Sequence, residues 1–181
     1  GCTNVWVGAE SGSQKILDAM DKGTKVEQIY EATRLLKKNG IKPAFFIQFG
    51  YLGETMTDIE KTIKMINDLL PEDIGVSVSY PLPGTSFYEK VKHELGNKTN
   101  WSDSDDLALM FKNTYSADFY KQLHRYVHKN YRKHQALDTI KQLVNSPKKS
   151  NYYTIKRAFS YIWYIPATVI EKQKLNRLQH E

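Results

Sequence analysis

Three short loops of this 181-residue sequence combine glycine or proline with polar side chains that could hold a ligand. They cover residues 8–13, 48–55 and 80–85, and each follows an apolar run. In the first loop, Glu10 is well placed to accept hydrogen bonds from the amine or the hydroxyls of a ligand. A carboxylate at this position could instead cap a nearby helix amide, so the residue type alone leaves both roles open.

The glycines of the first loop do not form a known phosphate-binding pattern. A Walker loop requires Gly-Lys-Ser/Thr after a glycine and four further residues, whereas Gly8 is followed at that distance by Ser13, Gln14 and Lys15. Gly8 and Gly12 also do not fit the Gly-x-Gly-x-x-Gly spacing of a dinucleotide fold. A generic nucleotide site stays open, but nothing in the spacing supports it.

The elements that must position these loops alternate between strand and helix. The apolar runs at 4–8, 43–49 and 74–80 are short and end at glycine or proline, as buried strands do. Apolar residues at helical spacing predict helices between them. These helices are expected from Ser11 or Ser13 to about Met20, from a Thr24–Glu27 capping box to Asn39, and from Thr55, capped with Asp58, to Leu70.

This order predicts parallel strands joined by helical crossovers, as in a βα sheet or barrel, since parallel strands need a long connection. In such folds, ligands bind at the carboxyl ends of the strands, where the three loops lie. After Gly84 the pattern becomes helical apart from a predicted loop at 96–106, with a break at 146–151. We therefore predict an α/β domain over 1–96 and a basic, mostly helical extension over 97–181.

The charge is distributed unevenly along the chain. Residues 1–110 carry 12 Lys and Arg against 16 Asp and Glu, whereas residues 111–181 carry 14 against 4. A basic tail could serve nucleic acid, an anionic membrane surface, a polyanionic ligand or an acidic partner domain. Composition does not choose among these partners.

The cysteine content limits the cofactors that this chain can hold by itself. Cys2 is the one cysteine, so the chain cannot supply the three or four thiolates of an iron–sulfur or structural zinc site. The sequence starts at Gly1 without a signal segment, from which we expect part of a longer, cytoplasmic protein. Another metal candidate, His124 with His128 at i and i+4, lacks a third ligand nearby, which favours packing or surface roles.

The order and spacing of the loop motifs match one known family. The motifs are GAESGS at 8–13, MDKG at 20–23, GYLGET at 50–55 and PLPGT at 81–85. Together they resemble the second half of a radical S-adenosylmethionine (radical SAM) barrel, over residues 1 to about 90. WSD at 101–103, DDL at 105–107 and TY at 114–115 resemble the cobalamin-binding subgroup that includes the anaerobic magnesium-protoporphyrin IX monomethyl ester cyclases.

The resemblance implies the carboxyl-terminal half of a partial (β/α) barrel of radical SAM type, followed by a helical extension. It implies an enzyme that reductively cleaves S-adenosylmethionine with a [4Fe–4S] cluster, for methyl transfer, cyclisation or oxidation at an unactivated carbon. The cluster cysteines and a cobalamin domain would lie upstream, so we expect this chain alone to be inactive. Residues 51–52 are Tyr-Leu where the family more commonly has Leu-Pro.

The resemblance also implies a set of site residues and partners. A small-molecule substrate and an electron donor such as flavodoxin or ferredoxin are expected, and no specific nucleic acid is. The rival class is a non-enzymatic binding module whose basic tail docks on an acidic partner or peripherally on the inner membrane face. Predicted cofactor-binding residues are Glu10, Ser11, Lys22, Gln48 and Gly50, and the predicted substrate-side loop contains Tyr80, Pro83, Gly84 and Thr85.

Overall fold

The computed structural model describes residues 1–95, 111–147 and 150–179. The chain forms two compact units, Gly1–Lys121 and Gln122–Glu181. The predicted domain boundary at residue 96 lies beside residues outside the described ranges and stays a prediction. The predicted loop at 96–106 and the motifs at 101–107 also lie outside them.

The first unit is built on a sheet of three parallel strands in the order β1-β2-β3. The strands are β1, Asn4–Glu10; β2, Lys42–Phe49; and β3, Ile74–Val78. The α/β alternation predicted from the sequence is confirmed, although closure into a barrel stays a prediction. The first strand runs two residues further than predicted, so Glu10 belongs to its end and pairs with Ile47 after a register shift.

Helices separate the strands and cover one face of the sheet. They are α1, Gln14–Ala19; α2, Val26–Lys38; α3, Met56–Leu69; and α4, Ser86–Val91, followed by a 3₁₀ turn at Lys92–Glu94. Side chains of β2 alternate, as a sheet covered on one side requires: Phe45, Ile47 and Phe49 are buried, whereas Phe46 is half exposed.

The helix starts follow the predicted capping chemistry only in part. Ser13 is the N-cap of α1, but its hydroxyl donates to Asp58 at 2.7 Å and does not cap the helix. At α3 the Asp58 carboxylate accepts hydrogen bonds from the Thr55 amide at 3.1 Å and from its hydroxyl at 2.7 Å, as predicted. The predicted Thr24–Glu27 box at α2 is wrong. The N-cap is Lys25, whose amide donates to the Gln28 side chain at 2.8 Å, so the helix starts one residue later.

The second unit contains two long helices. Most of α5, Ala117–Asn145, belongs to it, together with α6, Tyr152–Leu178. The predicted stripe of Leu123, Val127 and Tyr131 is buried, and the break after residue 145 is confirmed. Within the described part of the chain, no helix has the length and apolar character that a membrane span needs.

Candidate functional site

A pocket of about 220 Å³ opens at the carboxyl edge of the parallel sheet. Each of the three predicted loops contributes to it, because parallel strands deliver their carboxyl ends to the same edge. The pocket therefore gathers side chains that are far apart in sequence. Its lining residues are Glu10, Met20, Lys22, Gln48, Tyr51, Tyr80, Leu82, Thr85, Ser86 and Phe87.

An ion pair supplies the charge of this pocket. The Lys22 ammonium lies 2.9 Å from Glu10 Oε1, and the two side chains are 36% and 20% exposed. Both charges therefore remain accessible from the pocket. A ligand that carries an ammonium and a carboxylate could replace the direct contact with one contact to each residue.

Backbone geometry at the end of β1 aims Glu10 into the pocket. Its φ of 53° is in the left-handed region, which turns the chain out of the strand. A Cβ at Gly8 would lie 3.0 Å from Glu10 Oε1 and 3.2 Å from Lys22 Nζ. The ion pair thus lies close above the backbone of a glycine, where a larger residue would crowd both charged groups.

A tight turn after α1 brings Lys22 back to the strand. Asp21 has a φ of 54°, and the Lys22 amide donates to the Leu17 carbonyl at 3.0 Å. Because α1 is short, the chain reverses within one turn and places Lys22 beside Glu10. Glu10 and Lys22, which form the ion pair of the pocket, therefore belong to the same strand–helix unit.

The opposite wall of the pocket is apolar and aromatic. The rings of Tyr51 and Phe87 lie 4.6 Å apart, and the Tyr51 hydroxyl donates to the Ala19 carbonyl at 2.8 Å. Burial, with a smaller effect of Asp21, raises the pKa of Tyr51, which therefore stays a neutral hydrogen-bonding phenol. The predicted site residues do not include Met20, Tyr51, Leu82, Ser86 or Phe87 by name. Two of them nevertheless lie in predicted loops, Tyr51 in the loop at 48–55 and Leu82 in the loop at 80–85.

Four predicted site residues do not line the pocket. Ser11 is fully buried and its hydroxyl lies 3.1 Å from that of Thr62. The Gly50 amide donates to Glu54 Oε2 at 2.6 Å, and its carbonyl accepts a hydrogen bond from Asn113. Pro83 and Gly84 are exposed in the turn before α4. The pocket therefore unites Glu10, Lys22, Gln48, Tyr80 and Thr85 out of the nine.

A polar network behind the first loop fixes it to α3. Asp58 accepts hydrogen bonds from Ser13 Oγ at 2.7 Å and from Lys15 Nζ at 3.2 Å, in addition to its capping bonds with Thr55. Burial raises its pKa, but these hydrogen bonds lower it more, to about 2. The Gly12 amide also donates to Thr62 Oγ1 at 2.9 Å, which adds a further contact between the first loop and α3.

Glu54, at the end of the second loop, is fully buried. One oxygen accepts from the Gly50 amide, while Oε1 has no hydrogen-bond partner among the described residues. Burial raises the pKa of Glu54 to about 8, against the opposing effect of the Gly50 amide. This carboxyl is therefore mostly protonated at neutral pH. Its hydrogen bond with the Gly50 amide joins the two ends of the loop at 50–54.

The described residues do not provide a ligand set for an iron–sulfur cluster. Cys2 is exposed, with its thiol 3.3 Å from the Asn4 carbonyl. Among residues 1–95, 111–147 and 150–179, no three His, Cys, Asp or Glu side chains lie close enough to share a metal ion. His124 and His128 lie near each other, with ring centroids 4.4 Å apart, and burial lowers the pKa of His124.

Comparisons with known proteins agree with the loop motifs. The family model of the radical SAM superfamily matches residues 1–66, which include β1, β2 and the Glu10–Lys22 pair. The resemblance to radical SAM enzymes is confirmed. This radical SAM match ends within α3, so it covers two of the three strands that form the pocket edge.

Relatives whose names state an activity match about half of the chain. The chain is 31% identical over 102 residues to an uncharacterized methyltransferase of Pyrococcus horikoshii, covering 56% of this chain and 22% of that protein. It is 33% identical over 103 residues to the anaerobic magnesium-protoporphyrin IX monomethyl ester cyclase of Rubrivivax gelatinosus, covering 57% and 18%. It is 40% identical over 79 residues to a tRNA-2-methylthio-N(6)-dimethylallyladenosine synthase of Cellvibrio japonicus, covering 42% and 17%. The chain thus spans about a fifth of the length of these relatives.

Proposed function

We propose that the pocket at the sheet edge binds the amino-acid end of S-adenosylmethionine in a radical SAM enzyme. The observation that carries this proposal is the accessible Glu10–Lys22 ion pair, with its 2.9 Å separation. Glu10 would accept hydrogen bonds from the ammonium group, and Lys22 would hold the carboxylate. The residues present fit a zwitterion because they offer one charge of each sign.

The remaining lining residues would orient the rest of the cofactor. Tyr51 and Phe87 offer an apolar wall, and Gln48 and Thr85 offer hydrogen-bonding groups beside it. Aromatic rings pack well on flat heteroaromatic groups, so this wall suits an adenine or a planar substrate. When bound, S-adenosylmethionine supplies a sulfonium carbon–sulfur bond, and reductive cleavage of that bond starts radical chemistry.

We further propose that the three strands are part of a larger parallel barrel. The face of the sheet without helices carries Trp6 and Phe46, with ring centroids 4.6 Å apart and side chains 47% and 50% exposed. Large apolar side chains on a sheet face need a cover, and further strands of a barrel would give one. The cluster cysteines would then come from the same additional part of the protein.

The reaction type is the broadest part of the proposal. The relatives named methyltransferase and cyclase support radical-based methyl transfer or cyclisation at an unactivated carbon. By the subgroup resemblance, a cobalamin domain and an electron donor such as flavodoxin or ferredoxin would take part. The chain of 181 residues alone would lack the cluster and would not turn over.

The test is to compare cofactor binding in Glu10→Gln and in a matched control. Intact protein is reconstituted anaerobically with iron and sulfide, and S-adenosylmethionine affinity is measured by equilibrium dialysis, with 5′-deoxyadenosine formation as a second readout. Loss of a charge-assisted hydrogen bond should weaken binding roughly tenfold to hundredfold. Cluster absorbance should not change, because Glu10 is not a thiolate.

Glu31→Gln is the control, since Glu31 forms an exposed ion pair with Arg34 on α2, outside the pocket. This control should bind S-adenosylmethionine like the unaltered protein. Equal affinity in Glu10→Gln and Glu31→Gln would remove Glu10 from the site. Absence of both binding and 5′-deoxyadenosine in the unaltered protein would favour the non-enzymatic module.

A further inference from the structure

One face of α6 is apolar and is not covered by the described residues of its own unit. Its side chains recur at intervals of three, four and seven residues, which places them on one side of the helix. Phe159, Ile162 and Trp163 at its centre are 69–70% exposed. We call this surface the apolar stripe. It consists of Tyr152, Ile155, Phe159, Ile162, Trp163 and Ile170.

The opposite face of α6 is fixed within its own unit. Ala167, Thr168 and Leu175 are buried there. Glu171 accepts hydrogen bonds from Gln122 Nε2 at 2.5 Å and from Lys129, so the rotation of α6 about its axis is set by α5. The apolar stripe therefore cannot turn inward without breaking these contacts.

The helix continues through Pro166. Proline has no amide hydrogen, so the Ile162 carbonyl loses its usual helical donor, while the Thr168 hydroxyl donates to the Tyr164 carbonyl at 2.6 Å. The stripe thus continues from Tyr152 to Ile170, about 27 Å at 1.5 Å per residue.

The exposed charge of α6 is entirely positive. Its one acidic residue, Glu171, is buried and paired with Lys129. Its exposed charged side chains are Lys156, Arg157, Lys172, Lys174 and Arg177.

Two of these cations lie in line with the stripe, Lys156 near its start and Arg177 beyond its end. Lys156, Trp163, Ile170 and Arg177 follow one another at heptad intervals and so lie along nearly one line of the helix. Cations at both ends of an apolar line can reach headgroups while the apolar residues enter the lipid boundary.

We infer that the apolar stripe of α6 docks on an anionic lipid surface. Tryptophan and tyrosine favour the membrane–water interface, and amphipathic helices with flanking cations lie in its plane. A second copy of this chain is a poorer occupant, because two stripes facing each other would bring like charges together.

The experiment is co-sedimentation of the intact protein with two kinds of vesicle. One is phosphatidylcholine alone, and the other contains about one third phosphatidylserine. We expect binding at low salt to the anionic vesicles only, with loss of binding at high salt. Bound protein should show a blue shift in tryptophan emission that Trp163→Phe removes.

Three variants separate the contributions. Phe159→Asp should abolish binding, because it places a charge in the centre of the stripe. The double variant Lys156→Ala with Lys174→Ala should weaken binding roughly thirtyfold, from about 1 kcal/mol per cation. Val144→Asp on α5 is the control, since Val144 is 74% exposed but lies on another helix.

Several results would overturn the inference. They are equal sedimentation with both vesicles, no sedimentation at low salt, and equal losses in Phe159→Asp and Val144→Asp. A dimer in lipid-free sedimentation velocity that Phe159→Asp dissociates would assign the stripe to a second copy instead. The lysine variants are surface changes, so they decide the question even if Phe159→Asp unfolds the helix.

Discussion

Two glutamates follow neighbouring parallel strands of this sheet, and their environments are opposite. Glu10, at the end of β1, is one fifth exposed and forms an ion pair with Lys22 in the pocket. Glu54, in the loop after β2, is fully buried, and one of its oxygens has no hydrogen-bond partner in the part of the chain that the structure describes. The Glu10 carboxylate is available to a ligand, whereas the Glu54 carboxyl group is hydrogen-bonded to the Gly50 amide of its own loop.

The difference comes from the local backbone and not from the residue type. Glu10 lies at the end of the strand and a φ of 53° turns it outward. Glu54 comes after Gly50 and Gly53, both of positive φ, and its side chain curls back to the Gly50 amide. A glutamate near glycines at a strand end is therefore a site only where the chain turns it toward the open edge.

Gly12→Ala should have the largest effect, because it would displace the Glu10 loop while leaving the Glu54 loop in place. A Cβ at Gly12 would lie 2.5 Å from the Lys61 carbonyl oxygen and 2.8 Å from Thr62 Cα, which are backbone atoms that cannot move aside. We expect a loss of ~4 kcal/mol in unfolding free energy, measured by chemical denaturation of the intact protein.

The control is Gly23→Ala, where φ is +66° but nothing lies within 4 Å of the added Cβ. Only the backbone strain applies there, so the loss should be about 1 kcal/mol. Equal losses of unfolding free energy in both variants would mean that the close approach of the first loop to α3 does not contribute to stability.

Glu54→Gln tests the buried glutamate through the pH dependence of the unfolding free energy. The folded pKa of about 8 lies above the ordinary value of 4.5, so the folded state binds the proton more tightly than the unfolded state. Stability linked to this group should be full below about pH 4.5 and fall by ~4 kcal/mol as the pH rises to about 8. Glu54→Gln should flatten this fall in denaturation curves collected between pH 5 and 8. An unchanged slope would contradict burial of the carboxyl.

Asp58→Asn tests the network that seats the first loop, and the sign of its pH dependence is the reverse. The pKa of about 2 lies below the ordinary value of 3.8, so its stabilisation is present above about pH 4 and is lost as the pH falls toward 2. We expect Asp58→Asn to cost ~2 kcal/mol at neutral pH, because hydrogen bonds from Ser13 and Thr55 lose a charged acceptor.

Asp68→Asn on the same helix is the matched control. Asp68 is also a paired carboxylate, bound to Lys64 at 2.5 Å, but its side chain is 36% exposed. Exposed pairs contribute little, so the control should cost well under 1 kcal/mol. Similar costs in the two variants would remove Asp58 from its role as the buried centre of the network.

The sequence predicted the elements and the sheet edge, because apolar spacing, glycines and caps act locally. The three strands and the Thr55–Asp58 cap follow from such signals. Lys22 and Gln48 were assigned to the site by the family resemblance, and the structure brings both into one pocket with Glu10 and Tyr80. The assignments of Ser11 and Gly50 to the ligand depended on position in a motif. Their partners, Thr62 and Asn113, lie 51 and 63 residues away, and no local pattern indicates such contacts.

Glu10→Gln should have the smallest effect on stability and the clearest effect on the ligand. Its ion pair is partly exposed, so without ligand the unfolding free energy should change by less than about 1 kcal/mol. A ligand that binds only the folded state adds stability in proportion to the logarithm of its concentration over the Kd. In thermal unfolding of the intact protein, saturating S-adenosylmethionine should raise the Tm of the unaltered protein and of Glu54→Gln by similar amounts. The rise should be much smaller in Glu10→Gln, because only Glu10 faces the ligand. If the two glutamate variants lost the ligand-induced shift equally, the contrast between an accessible and a buried carboxylate would not describe their roles.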